Sequence, residues 1–153
     1  MLDYFNYHGI GTNLNKQKAI QLYQKAAELE NNVAQYNLIS MYMNGEGVKQ
    51  DRGKVFEISN KLAEKEYSGG MGWLGYCYRN GIGTNVDIQK TFELYQKAAE
   101  LGNCFAQYNI ALMYEDGNEI KEDMAQAIYW YKKSAEQGHE YAQYKLETLS
   151  KKC

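Results

Sequence analysis

The sequence repeats itself with a period of 36 residues. Ala-Gln-Tyr-Asn at 34–37 returns two periods later at 106–109, and Leu-Tyr-Gln-Lys-Ala-Ala-Glu at 22–28 returns by the same step at 94–100. Between these two kinds of segment lies a Gly-x-Gly turn, found at 9–11, 45–47 and 81–83. A fixed period of this length predicts an array of small stacked units rather than one closed core.

Both repeated segments have the apolar spacing of an α-helix. In the first, here named the A helix, Ala34, Leu38, Met41 and Tyr42 fall at i, i+4, i+7 and i+8, which is one helical face. The second, the B helix, has the same spacing at four positions: Ala19, Tyr23, Ala26 and Ala27. The turn glycines suit the left-handed backbone in which helices often end. Each unit is therefore predicted to be helix A, a glycine turn and helix B.

Aspartate recurs at the start of the B helix, as Asp51, Asp87 and Asp123. Such a side chain can accept hydrogen bonds from the free N–H groups of the first helical turn. Because an isolated helix pair cannot bury its apolar face, the units must stack. We expect an all-α fold, a curved right-handed α-solenoid of 36-residue helix-turn-helix repeats with the A helices on the inner side.

The repeat sets the expected domain organisation. Residues 1–153 form a single array, with a partial unit over 1–32, units at 33–68, 69–104 and 105–140, and a C-terminal capping helix at 141–153. The chain begins within the last turns of an A helix, from Tyr4 to His8, so that the first B helix is left partly uncovered. We therefore expect further repeats, another domain or a partner at the N-terminal end.

The pattern resembles the Sel-1-like repeat family, whose units read A-x-x-x-L-x-x-x-Y, then G-x-G, then D, then A-x-x-x-x-x-x-A-A-E-x-G. The resemblance covers nearly the whole chain, whereas the related tetratricopeptide repeats have a period of 34. It implies a scaffold that assembles protein complexes, in signalling, protein quality control or host–microbe contact. Two departures stand out: Glu119 replaces a turn glycine, and Gly72 stands where other units have Tyr36, Tyr108 and Tyr144.

Composition excludes several function classes. A formal net charge of −2 and a pI near 5.7 give no basic footprint, so no nucleic-acid partner is expected. No apolar run approaches the ~20 residues that span a bilayer, so no membrane insertion is expected. The N-terminus carries no signal-peptide pattern, and the three scattered cysteines (Cys77, Cys104 and Cys153) make a poor disulfide framework. A cytoplasmic location follows as the expectation.

No constellation of a catalytic or metal site is evident. The Gly-x-Gly turns lack the strand and the Lys-Ser/Thr of a phosphate-binding loop, so we interpret them as structural turns. His139-Glu140 is followed by Gln143 where a zinc-binding helix needs a second His, which makes His139 a solvated loop residue. No cofactor and no enzymatic activity are predicted. A hydrolase of the β-lactam-binding type, seen in relatives with a cysteine pair in each repeat, remains a remote alternative because these cysteines do not follow the period.

The tyrosines divide into two sets. Six lie on the apolar stripes and are predicted to be core: Tyr42, Tyr78 and Tyr114 on A helices, and Tyr23, Tyr95 and Tyr131 on B helices. Cys77, on the same A-helix stripe, is predicted to be a small buried hydrophobe, and Cys104 and Cys153 to be more exposed. The other set faces the inner groove if the units follow the tetratricopeptide arrangement. Aromatic side chains concentrated with asparagines on one surface are typical of binding hot spots.

The predicted partner-binding residues on that face are Tyr36, Asn37, Gly72, Trp73, Tyr76, Arg79, Tyr108, Asn109 and Tyr144. Equally, the repeated tyrosines could merely pack between neighbouring A helices. The A helix of unit two contains four glycines: Gly69, Gly70, Gly72 and Gly75. They could allow tight packing, mark a hinge or leave a notch. In the notch hypothesis, Gly72 opens an anchor pocket between Tyr36 and Tyr108, floored by Trp73 and Tyr76.

The function favoured by these observations is a non-enzymatic scaffold or adaptor that binds a peptide or protein partner on its A-helix face. Arg79 and Lys145 are the basic candidates on that face, too few for the carboxylate clamp of some tetratricopeptide repeats, so an aromatic and polar peptide groove is preferred. The alternative is a spacer or regulatory segment of a larger protein, for example one that contains a kinase domain.

Overall fold

A computed structural model describes residues 13–117 and 119–151 of the 153-residue chain. Within these residues the chain forms eight α-helices and no strand: α1 Asn13–Glu28, α2 Asn32–Asn44, α3 Arg52–Glu64, α4 Ser68–Asn80, α5 Ile88–Glu100, α6 Cys104–Asp116, α7 Met124–Glu136 and α8 Glu140–Ser150. The even-numbered helices are the A helices and the odd-numbered ones the B helices. From α2 onward, A helices start at 32, 68, 104 and 140, and B helices at 52, 88 and 124, always 36 apart. The predicted all-α solenoid is confirmed.

The helix starts are held by side-chain caps. The three predicted aspartate caps are confirmed, since each accepts from the backbone N–H three residues on: Lys54 to Asp51 at 3.0 Å, Lys90 to Asp87 at 2.9 Å and Gln126 to Asp123 at 3.0 Å. The A helices are capped in the same way by Asn31, Asn103 and His139. Among helices α2 to α8, α4 is the exception, because Tyr67 at its N-terminus makes no side-chain cap.

The second glycine of the Gly-x-Gly turn brings the turn against the preceding B helix. Gly83 has a φ of +66°, and a Cβ there would lie 2.5 Å from the Arg52 carbonyl oxygen of α3. No L side chain fits that space, and a positive φ is itself unfavourable for residues other than glycine. This close approach explains the repeated glycine without any ligand. The first turn, at 9–11, lies outside the described residues.

Helices pack mainly on their neighbours along the chain, and the core follows the stack as three clusters. Of the six tyrosines predicted to be core, three are buried: Tyr42, Tyr95 and Tyr131. The other three, Tyr23, Tyr78 and Tyr114, are half-buried. The rings of Tyr78 and Tyr114 pack edge-on against aromatic rings of B helices, Phe56 and Phe92 respectively, with centroid separations of 5.6 and 5.7 Å.

Cys77 is fully buried beside these aromatics, as predicted, and burial raises the pKa of its thiol to about 11. A thiol with such a pKa remains protonated at neutral pH and behaves as a small hydrophobe. Cys104 is half-buried. Cys153, the predicted helical turn from Tyr4 to His8, and His8 itself lie outside the described residues. Among the helices of the described ranges, none has the length and apolar character to cross a membrane.

Candidate functional site

A groove of about 680 Å³ opens where helices α2, α4, α5 and α6 meet. Five of the residues predicted for partner binding line it: Tyr36, Gly72, Trp73, Tyr76 and Asn109. Seven further residues complete the lining: Met43, Asn44, Gly69, Tyr95, Asn103, Phe105 and Ala106. All twelve side chains are uncharged, so apolar contact and neutral hydrogen bonds dominate this surface.

The four glycines of α4 separate into two roles. A Cβ at Gly70 would lie 2.3 Å from Leu62 Cβ, and one at Gly75 would lie 2.8 Å from Tyr95 Cε1. One at Gly69 would lie 2.7 Å from the Tyr36 hydroxyl. These three glycines therefore permit close packing. At Gly72, by contrast, a Cβ would meet only the Asn103 side chain, no nearer than 3.7 Å.

Gly72 therefore leaves a notch in the A-helix face. In the preceding unit the equivalent tyrosine, Tyr36, reaches across to α4 and places its hydroxyl over Gly69. No such ring extends from residue 72 towards Asn103 and Phe105 on α6. The groove thus includes the place that a repeat tyrosine would fill.

Tyr108, the residue predicted to bound the notch opposite Tyr36, lies away from the groove. Its ring turns towards α7 and the start of α8. There it stacks on the His139 ring, with centroids 4.7 Å apart and planes at 31°, and it also contacts Tyr131 and Tyr141. Phe105 takes the position on the groove instead, and its side chain is 65% exposed.

The aromatic residues of the groove present ring faces and edges to solvent. The Trp73 and Tyr76 rings pack edge-to-face, with centroids 5.8 Å apart, as is common for stable aromatic pairs. Tyr76 is exposed, and Trp73 is half-buried. On the opposite side, the Asn109 amide donates to the Phe105 carbonyl at 2.8 Å, which fixes its orientation on α6.

Four predicted site residues lie outside the lining: Asn37, Arg79, Tyr108 and Tyr144. Asn37 donates to the Val33 carbonyl at 2.9 Å, within its own helix. Arg79 pairs with Glu119, the residue in place of a turn glycine, at an N···O distance of 3.8 Å. Tyr144 lies on the last A helix and is 68% exposed.

Tyr95 is the groove residue that sequence reasoning placed only in the core. It is fully buried, so it lies at the floor of the groove, where burial raises the pKa of its hydroxyl far above the usual range. Arg79 is close enough to oppose that shift. The Tyr95 hydroxyl makes no hydrogen bond with any residue that the structure describes. The sequence signal that points to Tyr95 is Arg79 in unit two, which stands where unit three has Glu115.

His139 is a loop residue as predicted, but its ring is half-buried rather than free in solvent. Its Nδ1 accepts from the Ala142 N–H at 3.3 Å, and its ring packs against Tyr108 and Phe105. Burial lowers the pKa of this imidazole below its ordinary value of 6.5. In the described ranges, no group of three or more His, Cys, Asp or Glu side chains is arranged to hold a metal ion.

The chain matches the family model described as Sel1 repeat over residues 4–31, 32–65, 68–103 and 104–139. It is similar to a protective antigen of uropathogenic Escherichia coli with an SLR fold: 36% identity over 97% of this chain and 32% of that one, with a TM-score of 0.84. It is also similar to a Sel1 repeat protein from Oxalobacter formigenes, at 34% identity over 93% of this chain and 58% of that one, with a TM-score of 0.80.

Cysteine-rich protein B of Helicobacter pylori is more distant. It shares 27% identity over 88% of this chain and 96% of its own, with a TM-score of 0.65. No curated protein matches this sequence. The chain spans less than two thirds of the Escherichia coli and Oxalobacter proteins.

Proposed function

Because this chain belongs to the Sel1 repeat family, whose members are generally protein-interaction scaffolds, we propose that it is a non-enzymatic scaffold that binds a segment of a protein partner in the groove beside Gly72. The observation that carries the proposal is the groove itself, an aromatic-lined cleft that exists because Gly72 replaces the repeat tyrosine. The proposal assigns no catalytic step to any residue.

The character of the groove supports a peptide ligand. Its volume lies within the ~300–1,000 Å³ range typical of ligand sites. Trp73, Tyr76 and Phe105 supply the large, rigid aromatic surface that is enriched at binding hot spots. The amides of Asn44, Asn103 and Asn109 also line the groove, and side chains of this kind can fix the orientation of a peptide backbone.

The test fills the groove with the side chain that the repeat itself provides elsewhere. Gly72→Tyr places a tyrosine at the position of Tyr36 and Tyr108, where the structure leaves room for its Cβ. Gly53→Tyr is the matched control, since Gly53 is exposed on α3, outside the groove, and a Cβ there meets only Asp51 Oδ1 at 3.3 Å. Each variant and the wild type serve as bait in a cell lysate, and captured proteins are identified by mass spectrometry and rebound as purified components.

A partner that binds the wild type and Gly53→Tyr but not Gly72→Tyr supports the groove as the binding site. A partner that binds all three baits equally contradicts it. Both tyrosine variants must first melt cooperatively, so that a loss of binding reports on the filled groove and not on unfolding.

A second candidate function is a spacer or regulatory repeat segment within a longer protein. It is favoured by the lengths of the relatives, because this chain covers only 32% of the Escherichia coli antigen and 58% of the Oxalobacter protein. Capture of no partner by any of the three baits favours this second function.

A further inference from the structure

Unit three contains a partly buried hydrogen-bond network around a carboxylate. The Tyr131 hydroxyl on α7 donates to Glu115 Oε2 on α6, and Lys145 Nζ on α8 donates to the same oxygen at 2.9 Å. The carboxylate thus accepts one hydrogen bond from a hydroxyl and one from a cation. Charge-assisted hydrogen bonds of this type are stronger than neutral ones.

Unit two has the hydroxyl of this network but lacks the carboxylate. One period earlier, Tyr95 stands for Tyr131, Arg79 for Glu115 and Asn109 for Lys145. The Tyr95 hydroxyl is fully buried and has no hydrogen-bond partner among residues 13–117 and 119–151. A buried polar group without a partner is unfavourable and rare in folded proteins, which makes this donor a candidate for a ligand acceptor.

The cation of unit two lies within electrostatic reach of that donor. Besides burial, which raises the pKa of the Tyr95 hydroxyl, Glu119 raises it and Arg79 lowers it. Its ion pair with Glu119, at 3.8 Å, is longer than a hydrogen bond, and both side chains are partly exposed. The other carboxylate near the lining, Glu46, accepts from Asn44 at 3.2 Å. No carboxylate lines the groove itself.

Unit two also lacks the aromatic ring of its neighbours. Where Tyr36 lies over α4 and Tyr108 packs on His139, Gly72 leaves room beside Asn103. Gly72, which lacks the aromatic ring, and Tyr95, which lacks a carboxylate acceptor, both line the groove. An occupant that carries an aromatic ring and a carboxylate would restore the contacts that the other units make internally.

On the premise that the groove beside Gly72 is the partner site, we propose that its occupant is a peptide segment with an aromatic side chain and a side-chain carboxylate. The ring takes the place of the tyrosine absent at residue 72. The carboxylate accepts from the Tyr95 hydroxyl and lies next to the Arg79 guanidinium. Because that hydroxyl is buried at the floor of the groove, the carboxylate reaches it by displacing the side chains that cover it.

The test begins with a library of random twelve-residue peptides fused to the N-terminus of a phage coat protein, a format that offers no C-terminal carboxylate. Phage are selected on the wild-type chain after depletion on Gly72→Tyr. The most enriched peptide is synthesised with its C-terminus amidated, together with a copy in which its Asp or Glu becomes Asn or Gln. Both are titrated against the wild type and Tyr95→Phe.

We expect enriched sequences to combine Tyr, Phe or Trp with Asp or Glu. Tyr95→Phe should weaken the acidic peptide about tenfold or more, the loss of one hydrogen bond to a charged acceptor. The amide copy should bind both proteins equally weakly, which shows that hydroxyl and carboxylate act on each other.

Peptides that Gly72→Tyr rejects but that lack an acidic residue, or that bind Tyr95→Phe as well as the wild type, overturn this inference and leave the proposed function standing. Peptides that bind Gly72→Tyr as well as the wild type, or a library that yields no binder, overturn both. If Tyr95→Phe fails to fold, the comparison of acidic and amide peptides on the wild type still decides the role of the carboxylate.

Discussion

Two tyrosines at equivalent positions of successive B helices differ in their hydrogen bonding. The Tyr131 hydroxyl donates to the Glu115 carboxylate, whereas the Tyr95 hydroxyl has no partner among the described residues. We expect Tyr131→Phe to lower the free energy of unfolding by about 1.5–3 kcal/mol, the range for hydrogen bonds to charged groups. Tyr95→Phe should be neutral or slightly stabilising, because it removes a polar atom that is already unpaired. Urea denaturation of both variants measures the difference.

The two substitutions remove the same atom from the same kind of buried ring, so each controls for the other. Equal losses of stability would contradict the assignment, since they would mean that the Tyr95 hydroxyl is satisfied within the folded chain. The Tyr95→Phe measurement also establishes whether that variant folds before its peptide affinity is compared with that of the wild type.

His139 gives the molecule a pH-dependent helix cap. Burial lowers the pKa of its ring below 6.5 in the folded state, and Nδ1 must be unprotonated to accept from Ala142. In the unfolded chain the imidazole binds a proton near pH 6.5, while the folded chain resists until a lower pH. The unfolded state therefore binds more protons in this window, and stability falls as pH drops from about 6.5 towards the lowered pKa.

His139→Asn tests this linkage, because asparagine caps the equivalent helices as Asn31 and Asn103 but does not titrate. Unfolding is followed by circular dichroism between about pH 7.5 and 5. We expect the wild type to lose more stability than His139→Asn as the pH falls, and the carboxylates common to both proteins cancel in the comparison. Parallel profiles for the two proteins would show that His139 does not carry the effect.

At the scale of the helix, α3 and α4 pack closely because a large residue on one faces a glycine on the other. The contact of a B helix with the next A helix pairs Ala98 with Ala106, both buried. One period earlier the pair is Leu62 and Gly70, and a Cβ on Gly70 would lie 2.3 Å from Leu62 Cβ. The larger residue on α3 therefore fits only because its partner on α4 has no side chain.

A double-mutant cycle measures this complementarity. Gly70→Ala alone should destabilise the chain by about 1–3 kcal/mol through overpacking. Leu62→Ala alone should cost about 2–5 kcal/mol through the cavity that it leaves. Together they recreate the Ala–Ala pair of the neighbouring unit, so the double variant should lose at least 1 kcal/mol less than the sum. Additive losses in denaturant unfolding would show that the two residues do not constrain each other.

The helices could be predicted from the sequence because their determinants are local and recur every 36 residues. The aspartate caps at 51, 87 and 123 act within one helical turn, so the repeated letter was sufficient evidence. Side-chain direction is not local in this sense. The sequence predicts Tyr108 at the notch, but its ring stacks on His139, the residue that caps the next A helix, and so turns away from the groove. Tyr36 faces Gly69 instead and remains on the groove.

On the scale of the whole molecule, the candidate site arises where the repeats differ from one another. The notch at Gly72 could be predicted because one letter departs from the period. The role of Tyr95 is harder to find, because Tyr95 itself follows the period. The signal is Arg79 at the position of Glu115, and its meaning depends on the Tyr131–Glu115 hydrogen bond, which the structure shows. Tyr95 lies on a B helix, behind the A helices that form the walls of the groove. The spacing of residues within one helix does not show which residues of the helix behind it reach the groove.

If Gly72 keeps the groove open for a partner, filling the groove should increase the stability of the chain and abolish binding. Gly72→Tyr removes a glycine from a helix interior and lets a ring pack on α6, so we expect the free energy of unfolding to rise by about 1–2 kcal/mol. For a chain of this size that is roughly 2–4 °C in Tm for each kcal/mol. Gly53→Tyr should change the free energy of unfolding by no more than about 0.5 kcal/mol, because its gain in helix propensity is opposed by the crowding of its Cβ against the capping oxygen Asp51 Oδ1 at 3.3 Å.

Calorimetric melts of the two variants, beside their partner capture, decide the matter. A variant that is more stable yet no longer binds is the expected signature of a site kept open at some cost in stability, as functional sites often are. If Gly72→Tyr instead melts below the wild type, the ring does not fit beside Asn103, and the notch is not the place of the absent repeat tyrosine. Its loss of binding would then report on damage to α4 rather than on a filled groove.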